Sequence, residues 1–346
     1  MATKVKGRRS AAGSRGYPDL HEHIAALDAA GLLQRIDAPV NKDTELHPLV
    51  RWQFRGGIPE KDRKAFLFTN VTDSLGRHYD MPVVVGVLAT NPAIYSIGMG
   101  VPLEQVAETW TRGIASPIAP VTVEDAPCHE VVLTGDDLRG EGKGLDALPV
   151  PISTPGYDSA PYLTCTGCTT RDPDTGVQNG GMYRAGLKAS DRLGVRMVAR
   201  PGGAEGHLHW MKYKKRGEKM PMAIVIGAPP VVEYCYPQKL RTGVDELAIA
   251  GGLAGVPIRQ VRCKTIDLMV PAESEIVIEG LIDTEYLEPE APFGESHGHV
   301  ALEGFNTVME VTAITRRRDA IFTAIISRAS MTAFAAATSI SVISPA

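Results

Sequence analysis

From Cys128 onward the sequence is a train of short β-type runs broken by Gly/Pro turns, and this texture limits the fold more than any other feature. "CHEVVL", "MAIVIG", "PIRQVRC", "SEIVIEGLI" and "NTVMEVTAIT" are rich in Val, Ile and Thr and are bounded by turn-forming residues. "YLTCTGCTTRDPDTGVQNGGMYRAGL" reads as two strands joined by an Asp-Pro-Asp-Thr-Gly turn. Helical patterns interrupt at "HWMKYKKRG" and "VDELAIAGGLAG". Strands joined by turns pair antiparallel. A largely antiparallel barrel or mixed sheet is therefore expected.

The preceding part has a different pattern. "PDLHEHIAALDAAGLLQRI" is a helix capped by Asp19, with Leu20, Ile24 and Leu27 on one face and Gly31 at its end. "KAFLFTNV" and "MPVVVGVLA" read as buried strands. "PLEQVAETWTRGI" is an amphipathic helix presenting Leu103, Val106, Ala107 and Trp110. An α/β domain is thus expected over residues 17–125, after a basic, aperiodic and disordered tail at 1–16. The fold class is mixed α/β and α+β. The Ala/Ser/Thr-rich stretch 328–346 fits neither region, having no charge after Arg328.

A chain of 346 residues has room for two domains. Its net charge of −4 gives no sign of a nucleic-acid surface. No apolar run reaches the roughly 18 residues of a membrane span, and the basic start lacks the apolar stretch of a signal peptide. Five scattered cysteines point to free thiols in a reducing, cytoplasmic setting.

Several residues could carry chemistry. In "EPEAPFGESHG" the carboxylates Glu290 and Glu295 flank a Pro/Gly loop, where burial and mutual repulsion raise one of their pKa values. Solvated loop glutamates would look the same. "NGGMYR" places Asn179, whose amide oxygen suits a hard cation, near Arg184, whose fork suits a carboxylate. An ordinary strand arginine paired to any acid also fits. "GHLHW" offers His207 and His209, which share a side only on an extended strand, so one ligand from this pair is the reading. Glu246 stands at a helix start, where the dipole alone explains it. Cys165 and Cys168 form a single C-x-x-C in an apparent strand, which suits neither a zinc ribbon nor a thioredoxin site. Neither a dinucleotide fingerprint nor a P-loop is present. A metal hydrolase built on His207, His209, His297 and His299 would leave Arg184 idle.

Order and spacing say more than any site alone. "GLLQRIDAPVNKDTEL", "NGGMYR", "MAIVIGAPP", "GVDELAIAGGLAG", "CKTIDLMVPAESEIVIEG" and "EAPFGESHG" resemble, in sequence order, the UbiD family of reversible decarboxylases over residues 18–327. The resemblance implies a flavin-reductase-like split β-barrel over 126–327 that holds prenylated FMN, with a divalent ion, usually manganese, at the phosphate and potassium nearby. By motif match Asn179, His207 (or His209) and Glu246 would hold the metal. Thr164, Gly181, Met182 and Tyr183 would lie beside the flavin. Arg184, Glu290 and Glu295 match the family's catalytic network: Arg184 clamps the substrate carboxylate, Glu290 steadies the guanidinium and Glu295 is the proton donor. The implied substrate is an aromatic, heteroaromatic or α,β-unsaturated carboxylic acid. The implied partners are a flavin prenyltransferase that supplies the cofactor and further copies in a homo-oligomer. The family's C-terminal domain, with its phosphate-binding lysine, has no counterpart in the tail. A silent member that only binds flavin, metal or a partner is therefore the alternative.

Overall fold

The computed structural model describes residues 15–197, 203–290, 292–295, 299–301 and 304–326. The expectations for 1–14, for 327–346 and for His297 lie outside these residues.

The first helix, Leu20–Ala29, forms where the cap pattern placed it. Asp19 accepts from the Glu22 amide and Glu22 accepts from the Asp19 amide, both at 3.0 Å, a capping box that satisfies orphan donors at the helix start. Leu20, Ile24 and Leu27 are buried, and Gly31 turns the chain at φ 70°. A four-stranded sheet follows. Leu33–Ile36 lies parallel to Ala65–Phe68, which runs antiparallel to Val83–Val85. The fourth strand, Phe322–Ala324, arrives from the far end of the sequence and lies parallel to Val83–Val85.

One expectation needs correcting. "PLEQVAETWTRGI" begins as a 3₁₀ turn, Leu103–Gln105, and becomes helical at Val106–Ala115. Its buried face is Val106, Thr109, Trp110 and Gly113, whereas Leu103 and Ala107 are exposed. Close packing sets this face: a Cβ on Gly113 would meet the Leu253 side chain at 2.7 Å.

The turn-rich part forms a nine-stranded sheet. Met220–Ile226, Ile276–Glu290 and Gly304–Arg316 pair antiparallel at its centre. Met222, Ile224, Ile276 and Ile278 enter one core, while Ala223, Val225 and Val277 enter another. Covering on both faces is why "MAIVIG" is apolar throughout instead of alternating. Gly167–Arg171 and Gln178–Gly181 form the expected hairpin, with Gly176 at φ 77° in its turn. Ala185–Ala189 and Arg192–Val195 form a second. Among the described residues the strand path is open, running from Gln178–Gly181 to Tyr162–Leu163 without those ends pairing. The fold is mixed α/β.

Helix Glu205–Arg216 packs on this sheet, and Glu246–Ala254 packs on Val106–Ala115. "GHLHW" is thus helical, not extended. At 3.6 residues per turn its two histidines diverge.

Candidate active site

A cavity of about 970 Å³ opens where the two hairpins meet the N-termini of these two helices. Thr164, Asn179, Gly181, Met182, Tyr183, Arg184, His207, Glu246 and Glu295 all line it. Glu290 is buried behind Arg184.

At one end the Arg184 guanidinium is held on three sides. Nε and Nη2 donate to the two oxygens of Glu290 at 2.7 and 2.9 Å, a bidentate fork. Nη1 donates to Glu295 Oε1. The Phe293 ring lies 4.5 Å from the guanidinium carbon, a cation–π contact. Burial works against the charge on Arg184, but Glu290 and then Glu295 outweigh it, so the group is held firmly protonated. Glu290 reaches Arg184 from the end of the long strand Ile276–Glu290, and Glu295 from the loop beyond it.

That loop is pinned by Asp158, whose carboxylate accepts from the amides of Thr154 at 2.7 Å and Gly294 at 2.8 Å. A side chain at Gly294 would meet Thr154 Oγ1 at 2.5 Å, so the close approach requires glycine. The Glu295 amide donates to His299 O at 2.8 Å.

At the other end stand Asn179, His207 and Glu246. Asn179 is 7% exposed, and its Nδ2 lacks a hydrogen-bond partner. Glu246 accepts from the Gly180 amide at 2.7 Å and, among the described residues, has no cation within 4 Å. Burial pushes its carboxyl up to about 8; the Gly180 bond opposes this, and the Asp245 and Glu205 charges add to it. His207 faces the cavity and stacks on Trp210 at 5.6 Å. His209 turns into the core instead, its Nδ1 2.9 Å from Thr170 Oγ1, and burial pushes it down to about 4.

An amide, an imidazole and a buried carboxyl that a bound cation would ionise form a donor set that fits a divalent ion. Among the described residues no three His, Cys, Asp or Glu side chains converge, so a metal here depends on the Asn179 amide.

Between these ends the wall is nearly bare backbone. A Cβ on Gly180 would meet the Tyr236 ring at 2.7 Å, and one on Gly181 would meet Tyr183 Oη at 2.3 Å. The paired glycines are therefore required by close packing against the two tyrosines. Thr164 Oγ1 accepts from the Ile325 amide at 3.0 Å.

Two residues here were not singled out from the sequence. Phe293 sits inside the quoted loop, but nothing in its pattern showed it would lie against Arg184. Arg196 lines the same cavity and becomes visible only once the hairpin register is known.

The cavity thus has a carboxylate-held guanidinium at one end and an amide, an imidazole and a carboxyl at the other. The chain belongs to the UbiD family. The family model described as the 3-octaprenyl-4-hydroxybenzoate carboxy-lyase N-terminal domain matches residues 24–112, and the one described as the Rift-related domain of the same carboxy-lyase matches 120–329. Among solved structures, an evolved dimeric form of the UbiD-class enzyme HmfF from Pelotomaculum thermopropionicum, in complex with prFMN, is 31% identical, with a TM-score of 0.81 over 92% of this chain and 70% of that one. HmfF from the same organism in complex with FMN is 31% identical, with a TM-score of 0.80 over 90% of this chain and 65% of that one. Vanillic acid decarboxylase of Sedimentibacter hydroxybenzoicus, in closed form, is 25% identical, with a TM-score of 0.84 over 94% of this chain and 68% of that one. The chain thus spans about two thirds of the length of these proteins.

Proposed function

We propose that this chain carries the active site of a prenylated-FMN-dependent decarboxylase acting on an aromatic, heteroaromatic or α,β-unsaturated carboxylic acid. One observation carries the reading: Arg184, clamped by Glu290 and Glu295, faces the same cavity as Asn179 and Glu246. Prenylated FMN, when bound, supplies the electron sink that carbon–carbon cleavage needs. Asn179, His207 and Glu246 would hold a divalent ion, manganese being the expected one, against its phosphate, with potassium nearby. The flat wall at Gly181, Met182 and Tyr183, with Thr164, would receive the ring system.

The remaining steps fall to side chains. Arg184 orients the substrate carboxylate. Glu290 holds the guanidinium plane, so the acid enters in one orientation. Of the two carboxyls Glu295 is the one that lines the cavity, and it delivers a proton to the carbon that loses carbon dioxide.

The nine-stranded sheet is read here as the split β-barrel, with domain limits near 17–125 and 126–327. The HmfF complexes with prFMN and FMN support the flavin assignment, and the dimeric form of HmfF supports a homo-oligomer. Five free cysteines support a cytoplasmic setting. No helix among the described residues is long and apolar enough to cross a membrane.

The test is carbon dioxide release from a panel of such acids by protein coexpressed with a flavin prenyltransferase. Activity should vanish in Arg184→Ala. A flavin-coloured wild-type protein that releases nothing would favour the silent flavin-binding alternative, and a colourless one a silent member that binds only metal or a partner.

A further inference from the structure

Arg184 has a neighbour of the same charge. The second hairpin pairs Ala185 with Val195 and Gly186 with Gly194, so residues 184 and 196 form the next rung. The Arg196 amide donates to the Arg184 carbonyl at 3.0 Å, which confirms that register. Both guanidiniums line the cavity. Like charges directly opposed on adjacent strands are destabilising unless an anion lies between them. Glu290 is that anion: it chelates Arg184 and lies 3.9 Å from Arg196 Nε.

The other side of Arg196 meets a neutral group. Its Nη1 donates to Asn306 Oδ1 at 3.2 Å, on the strand that pairs with the hairpin through Val195 and Thr307. A Cβ on Gly304 would stand 3.0 Å from Nη1, so that position leaves the guanidinium its space. The side chain is 38% exposed, half-open toward the cavity.

The trio of Arg184, Glu290 and Glu295 has a net charge of minus one with both carboxyls ionised, and zero with Glu295 protonated. In neither state does its net charge favour a carboxylate. The guanidinium charge of Arg196 raises these to zero and plus one. We infer that Arg196 is the residue that selects for an anionic ligand: it offsets Glu290 and leaves the Arg184 charge available to a carboxylate. This rests on the decarboxylase reading of the site. Arg196 acts on binding, through charge, and takes no part in proton transfer.

The experiment measures calorimetric affinity of flavin-loaded protein for benzoate and for its neutral isostere benzamide. Wild type should favour benzoate. In Arg196→Gln, benzoate affinity should fall about tenfold while benzamide affinity changes less than about twofold, as expected for one partly screened charge. Arg196→Lys, which keeps the charge but not the Nη1 bond to Asn306, should recover most of the benzoate affinity. Unfolding midpoints of both variants verify that the fold is retained. Benzoate binding unchanged in Arg196→Gln, or equal losses for both ligands, would overturn the assignment to Arg196. A flavin-loaded wild type that does not distinguish benzoate from benzamide would count against the carboxylate site itself.

Discussion

Glu290 takes both Nε and Nη2 of Arg184 from one side, leaving only the Nη1 edge to Glu295. The side chains of this fork are 13% and 4% exposed, so the pair is desolvated as well as bidentate. Removing one partner strands the other charge in a poorly solvated place. Arg184→Ala should therefore lower stability by on the order of 3 kcal/mol in urea unfolding at neutral pH. The Arg184→Ala/Glu290→Ala double variant should lose clearly less than the sum of the two single losses. Additive losses would mean that the fork contributes little.

Glu295 differs from Glu290 in exposure, 28% against 4%, and in standing on a loop. Glu295→Gln keeps the hydrogen bond to Arg184 but has no acidic proton to give. Carbon dioxide release should fall by at least about a hundredfold while flavin absorbance stays the same. Normal turnover in this variant would exclude Glu295 as the donor.

The helical setting of "GHLHW" places the two histidines in different surroundings, His207 at the cavity and His209 in the core. His207→Gln and Glu246→Gln should each weaken manganese binding by at least about tenfold in an EPR titration. His209→Gln should leave manganese binding intact and cost about 1 kcal/mol of stability through the lost bond to Thr170. The reverse pattern would transfer the ligand role to His209.

Glu233 is a buried acid away from this chemistry. It accepts from the Ala228 amide at 2.8 Å, and the Cys165 thiol lies 3.8 Å from its other oxygen. Burial pushes its carboxyl up to about 7 from its ordinary value of 4.5, against those hydrogen bonds. The folded state thus binds this proton more tightly than the unfolded one. Its contribution to stability is full below pH 4.5 and is lost as pH rises through about 7. By linkage the loss amounts to about 3 kcal/mol. Glu233→Gln should flatten that part of the stability–pH curve and raise the unfolding midpoint at pH 8. A parallel curve in the variant would mean that Glu233 is already neutral, or solvated, throughout this range.

Local patterning disclosed most of the secondary structure. Asp19 and Glu22 announce a helix start, and the Asp-Pro-Asp-Thr-Gly turn announces a hairpin, because each depends only on neighbours in sequence. The face of Val106–Ala115 was misjudged because Gly113, against Leu253, decides it from more than a hundred positions away. The site divides in the same way. Arg184, Glu290, Glu295, Asn179 and Glu246 stood out by residue type and order. The choice between His207 and His209 needed the helix, and Arg196 needed the register of a hairpin whose sequence gives no hint of a second cavity-facing arginine.

The strand Phe322–Ala324 completes a sheet begun nearly three hundred residues earlier, and Ile325 then ties onto Thr164. Until that last strand has left the ribosome, Val83–Val85 presents an unsatisfied edge. The early α/β region must therefore wait for almost the whole cavity-bearing sheet to be synthesised before its own first sheet can close. Expressed by itself as 15–125, that region should be prone to edge-to-edge association. Folding of the chain should be slow for its size, since so much of it hangs on one very distant pairing.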